Sequence, residues 1–212
     1  MLRKFLFLSV LVVCPSVNAV AQGAPNWEFF GGYSYLRVDL DPNLPPDFDA
    51  DPEPDVSPGH INTNGWHASI TEYANDLLGV TAEVSGHYRT ICVSETTLAT
   101  LACSKRSPGD AKLDTSWYSV AVGPQLAYGR TGPLSLFAHV LIGGIIAKVK
   151  EPTLNLKVSD STWAITWGGG MDIRMSPEAA VRVQTDYVRG HFSDFAQNHV
   201  RISAGFVYRF GE

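Results

Sequence analysis

The closing stretch "HVRISAGFVYRF", residues 199–210, alternates along almost its whole length. Val200, Ile202, Ala204, Phe206, Tyr208 and Phe210 share one parity, while Arg201, Ser203, Gly205 and Arg209 share the other. Val207 is the one apolar residue on the polar side. Successive side chains of a strand point to opposite faces, so the stretch predicts a strand with one apolar and one polar face. "GVTAEVSGHYRT" (79–90) and "TWAITWGGGMDIRM" (162–175) repeat the pattern. Further candidates are 27–38, 64–74, 116–129, 134–148 and 179–188, which makes eight strands. Several exceed the usual soluble strand of roughly 5 or 6 residues and suit a tilted membrane-crossing strand of roughly 9 to 11.

The connections alternate as well. Residues 75–78, 130–133 and 176–178 are short; 39–63, 90–115, 149–161 and 189–198 are long and polar. This is the rhythm of an antiparallel up-and-down barrel, with tight turns on one rim and large external loops on the other. No helical period, internal repeat or second domain interrupts it.

Which face meets the surroundings sets the class. The polar parity carries Glu83, His87, Arg89, Asp172, Arg174, Arg182, Gln184, Asp186, Arg201 and Arg209. The opposite parity carries Val, Ile, Ala, Leu and Gly. Tyr33, Tyr35, Trp66, Trp117, Tyr128, Trp163, Tyr187 and Tyr208 stand towards strand ends. Aromatics at strand ends match the girdles of a transmembrane barrel, which is apolar outside and polar inside. Aromatic packing in an ordinary β core is the competing reading. Eight strands leave a lumen that side chains fill, so enclosed charges must pair. Glu83, Arg89, Asp172, Arg174, Arg182, Asp186, Arg201 and Arg209 are the expected lumen network. They would plug the bore, set register and stiffen the wall.

Composition agrees. Apolar residues are 45% and charged residues 17% of the 212, too apolar for disorder and poor in charge for a soluble enzyme. Arg3 and Lys4, the apolar run Phe5–Val13 and "AVA" at 19–21 read as a signal peptide over residues 1–21, cleaved after Ala21. The barrel domain is then 22–212. Cleavage leaves 14 basic and 21 acidic side chains, a formal charge of −7 that argues against a nucleic-acid partner. Past the signal no apolar run reaches the roughly 18 residues of a transmembrane helix. Cys14 departs with the signal. Cys92 and Cys103 remain, an even pair in an oxidising compartment, read as a disulfide closing a loop tip, with two free thiols or a metal pair lacking further ligands the alternatives.

Residues 39–55, "DLDPNLPPDFDADPEPD", hold seven acids and five prolines between the first two strands. Too polar to bury and stiffened by proline, the stretch is expected to be the first external loop. Asp47, Asp49 and Asp51 alternate, but Pro52 stands where a calcium loop needs its glycine turn.

Several stretches resemble the small outer membrane β-barrel proteins of the OmpA/OmpX-like, eight-stranded group. They are "WEFFGGYSYLRV", "NGWHASI", "LLGVTAEVSGHY", "VGPQLAYG", "LFAHVLIGG", "WGGGMDIRM" and "VRISAGFVYRF", together covering nearly the whole mature chain. The resemblance implies a place in the outer membrane of a Gram-negative cell, among lipid and lipopolysaccharide. It implies a monomer and insertion by the barrel-assembly machinery, which reads a terminal aromatic. Tyr208 and Phe210 would supply that signal, with Gly211 and Glu212 a small departure after it.

Catalysis is not expected. The alternative is a lipid A-modifying hydrolase using His191 and Ser193 of "GHFSDF", oriented by Asp186 or Asp194; a narrow channel is the other. Neither a metal nor a cofactor is expected. The histidines lack metal-site spacing, and Gly168–Gly170 lies inside a strand with no helix after it.

Overall fold

The computed structural model describes residues 25–38, 61–93, 100–101, 111–151, 156–192 and 195–211. The strands are β1 (Trp27–Val38), β2 (Ile61–Tyr73), β3 (Leu78–Val93), β4 (Thr100–Leu101) and β5 (Ala111–Tyr128). They continue as β6 (Leu134–Glu151), β7 (Leu156–Arg174), β8 (Ala179–Phe192) and β9 (Phe195–Phe210). Eight of them pair antiparallel with their chain neighbours, and β1 also pairs with β9, which closes the barrel. The two-residue β4 only adds to Cys92 and Val93 of β3.

The parity read from the sequence sets which side chains face in. On β9, Phe206 is 73% exposed and Ile202 and Tyr208 face outward, while Arg201, Ser203 and Arg209 are buried in the lumen. Val207 also faces inward, packed with Phe30 and Ala180. Ten residue steps from Val200 to Phe210, at ~3.4 Å each and a tilt of ~40°, span about 25 Å, the height of a membrane barrel's apolar band. The outward row of β6 is apolar from Leu134 to Ile146, then turns to exposed Lys148 and Lys150, marking the edge of that band.

Short turns close one rim. Asn75 Oδ1 accepts from Leu77 N and Leu78 N at 2.9 and 2.8 Å, an Asx turn between β2 and β3. Gly129, at φ 76°, supplies the left-handed residue of the β5–β6 turn. The chain ends fasten to the same rim. Tyr73 N donates to Asn26 O at 2.8 Å, and Arg130 donates to Pro25 O.

The strands outrun their expected ends. The predicted loop over 189–198 is largely ladder, because β8 and β9 stay paired up to Phe192 and Phe195. The loops over 90–115 and 149–161 likewise give way at both ends to β3, β5, β6 and β7. Apolar alternation reports contact with lipid. Beyond the membrane both faces are wet and the alternation fades, while the backbone ladder continues. Trp117 is a further correction. It points inward and meets His199 edge-on at 5.3 Å, rather than joining the outer girdle, because its odd parity on β5 matches buried Thr115 and Ala121. The signal segment 1–21, the acidic stretch 39–55 and Cys103 lie outside the described residues, as does the side chain of Cys92.

Candidate functional site in the barrel lumen

Two layers of charged side chains lie in the bore. The layer near the short turns is built on β1, β7, β8 and β9. Arg182 donates from Nε and Nη2 to the two oxygens of Asp172 at 2.7 and 2.8 Å, a bidentate pair, and from Nη2 to Glu28 Oε2 at 2.8 Å. Arg209 donates to Asp172 Oδ2 at 2.9 Å and places Nε 3.1 Å from Glu28 Oε1. Arg130 stands 3.5 Å from the same Glu28 oxygen, its guanidinium 3.4 Å from the ring centre of Tyr73. Gln125 donates to the Tyr73 hydroxyl at 2.6 Å and accepts from Thr81 at 2.9 Å.

The second layer, nearer the long-loop rim, centres on Arg201. Its Nη2 meets Glu83 at 2.7 and 2.8 Å and Asp186 Oδ2 at 2.8 Å, with Nε 3.0 Å from the same Asp186 oxygen. His67 Nε2 lies 3.0 Å from Glu83 and His139 Nε2 lies 2.9 Å from Asp186. A carboxylate only accepts, so these ring nitrogens carry the protons. Gln184 donates to Asp186 Oδ2 at 2.9 Å. Ser34, Ser203 and His87 continue the chain upward at 3.0 and 2.9 Å.

Glycines make the room. Gly168 and Gly170 on β7 stand opposite Asp186 and Gln184 on β8. A Cβ on Gly168 would lie 2.3 Å from Asp186 Oδ1, and one on Gly170 would lie 2.3 Å from Val183 O. The run is therefore close packing inside an unbroken ladder.

Across both layers four guanidinium groups (Arg130, Arg182, Arg201, Arg209) face four carboxylates (Glu28, Glu83, Asp172, Asp186), all buried. Guanidinium and carboxylate groups are equal in number. Unpaired, any of them would carry a desolvation cost of several kcal/mol. Six of the eight residues read from the sequence as the lumen network sit in these layers. Arg89 and Arg174 do not. Arg89 donates to Asn62 O at 2.7 Å, and Arg174 donates to Thr131 O at 2.8 Å and to Arg130 O. Arg174 ends β7 and Arg89 lies four residues before the end of β3, and each gives its guanidinium to backbone carbonyls. Glu28 and Arg130 are absent from the expected network, while His67 and His139, expected only as interior or interfacial polar residues, join it. Glu28 shares its parity with buried Ser34, a signal that Phe30 and Leu36 on the same parity obscure. Arg130 belongs to a turn and has no parity to read.

Two chemical possibilities can be weighed on this geometry. One nitrogen of His67 and one oxygen each of Glu83 and Asp186 lie within 4.8 Å of one another, a spacing a metal could use. Arg201 Nη2 already touches both carboxylates, so a guanidinium takes the cation's place. Ser203 Oγ, 3.3 Å from His67 Nδ1, with Glu83 behind the ring, repeats the order of a hydrolase triad. Ser203 is fully buried and also bonded to Ser34, so no substrate carbonyl reaches it. For the other hydrolase reading, Ser193 and Asp194 and the side chain of His191 lie outside the described residues. Asp186 is engaged by Arg201, His139 and Gln184.

Solved structures share the architecture. Neisserial surface protein A aligns with a TM-score of 0.61 at 11% identity, covering 89% of this chain and all of that one. The outer membrane protein OprG of Pseudomonas aeruginosa aligns at 0.56 and 11%, covering 90% and 98%. Ail, the attachment invasion locus protein of Yersinia pestis, solved with the heparin analogue sucrose octasulfate, aligns at 0.50 and 18%, covering 87% and 99%. This is the fold of the small eight-stranded outer membrane barrels. No family model matches the sequence, and no curated protein does.

Proposed function

We propose that the chain is a non-enzymatic outer membrane barrel with a structural and surface-interaction role, its bore plugged by the two charged layers. One observation carries this reading. Arg201 of β9 reaches Glu83 of β3 across the lumen, past the intervening strands β1 and β2, so the charges join opposite walls instead of lining an open path. A permeating ion would have to break such pairs, at a cost of several kcal/mol each. The external loops would carry adhesion or partner binding, the acidic stretch 39–55 and the Cys92–Cys103 segment foremost. Export through the signal peptide, insertion by the assembly machinery reading Tyr208 and Phe210, and a monomeric state belong to the same proposal. A closed barrel leaves no wall edge that requires a partner.

Purified protein in planar bilayers tests the plug. Silence under applied voltage is expected. Steady single-channel steps would replace the plug with the narrow-channel reading.

A further inference from the structure

The outer wall carries a feature that the lumen network does not explain. A groove of about 490 Å³ crosses the lipid-facing side of β2, β3, β5, β6 and β7 near the long-loop rim. Trp66 stands at one end and Trp163 at the other. Val84, Val120 and Gly144 run in register towards Trp163, three small or short side chains, while Trp66 stands opposite Gly86, two residues nearer the long-loop rim on β3 than Val84. Gly144 adds no side chain to the floor. The neighbouring Gly143 is forced, because a Cβ there would lie 1.9 Å from Val120 O. Gly144 is not: a Cβ would meet only Thr162 O, at 3.5 Å. The backbone has no need of this glycine, and its effect is to leave space on a face that meets hydrocarbon.

A cation stands over the groove. Tyr118 and Ile146 form the next outward row towards the rim, and Lys148 the row after that. Lys148 Nζ lies 5.5 Å from the ring centre of Tyr118, which holds the ammonium at the aromatic belt. The register partners of Lys148 are Ser116 and Ser159, whereas Lys150 has Asp114 opposite on β5. A hydrocarbon-sized slot capped by a positive charge at headgroup height matches one ligand shape.

We propose that this groove holds one acyl chain of a phosphate-bearing membrane lipid, with the phosphate on Lys148. The proposal rests on the membrane-barrel reading. Phosphatidylglycerol is the probe and phosphatidylcholine with the same acyl chains the control. Native mass spectrometry of the purified full chain in detergent counts retained lipid. One phosphatidylglycerol is expected, preferred over phosphatidylcholine by about five-fold, the effect of one lysine at a membrane surface. Gly144→Leu fills the floor and is expected to cut retention of both lipids about ten-fold. Lys148→Gln is expected to remove the preference and keep the remaining chain binding. Retention by Gly144→Leu equal to the parent, no preference in the parent, or loss of a dimer in place of loss of lipid would each overturn the proposal. The heat-dependent shift in gel mobility of a closed membrane barrel keeps the two readings apart. Its absence in the parent sinks the barrel, while a normal shift with unchanged lipid retention sinks only the groove.

Discussion

Arg201 and Glu83 stand 118 positions apart in the chain and meet at 2.7 Å in the middle of the bore. The same guanidinium holds Asp186, so one cation bridges two buried carboxylates from different walls. Replacing it with a methionine of similar length leaves both acids in a low-dielectric interior. Arg201→Met is expected to lower unfolding free energy by about 3–5 kcal/mol, read from urea unfolding in lipid vesicles. Adding Glu83→Gln to that variant should return part of the loss, since one unpaired charge is removed with its partner. Additive losses in the double variant would show that the pair is not coupled.

Ile142 lies on the apolar wall and is 61% exposed. Its register partners Val122 and Ile165 are apolar too. Ile142→Arg is expected to destabilise the folded protein in phospholipid vesicles by about 2–4 kcal/mol, the effect of arginine at the bilayer midplane. A soluble barrel would tolerate the same charge on its surface. Unchanged stability in vesicles would therefore count against hydrocarbon at this face.

A Cβ on Gly143 of β6 would lie 1.9 Å from Val120 O of β5. Gly143→Ala is expected to prevent closure of the barrel, seen as loss of the heat-dependent mobility shift, because even a methyl group would overlap Val120 O. Gly31→Ala is the control. A Cβ there meets only the Phe29 ring, at 3.7 Å. Equal folded yield for the two variants would contradict the close approach.

Phe210 faces outward, stacked at 5.8 Å on Tyr208 and at 6.3 Å on Trp27. If the terminal aromatic is an assembly signal, Phe210→Ala should slow insertion in cells or by reconstituted assembly machinery several-fold. Spontaneous folding into detergent should change little, because one exposed ring carries little of the packing. A matched loss in both assays would make Phe210 a packing residue alone.

The amino-acid sequence by itself determined the class of this protein and the direction of nearly every wall side chain. A two-residue period is local: it follows from strand geometry and needs no partner strand to be read. That is why Val200, Ile202 and Phe206 could be placed outside and Arg182, Asp186 and Arg201 inside. The aromatic-girdle reading, unlike parity, failed at one place. Trp117 is aromatic and near a strand end, and only its parity tells that it points inward.

The tertiary structure alone decided which charges meet. Height in the bore depends on the stagger of eight strands around the closed barrel, a property of the whole ladder and of no single strand. That stagger brings Glu28 to Arg182 and Arg209, and Glu83 to Arg201, while it leaves Arg89 and Arg174 at the rims beside backbone carbonyls. It also sets the strand ends. Hydrogen bonding between β8 and β9 continues where contact with lipid has stopped, and an apolar pattern carries no record of bonds made in water.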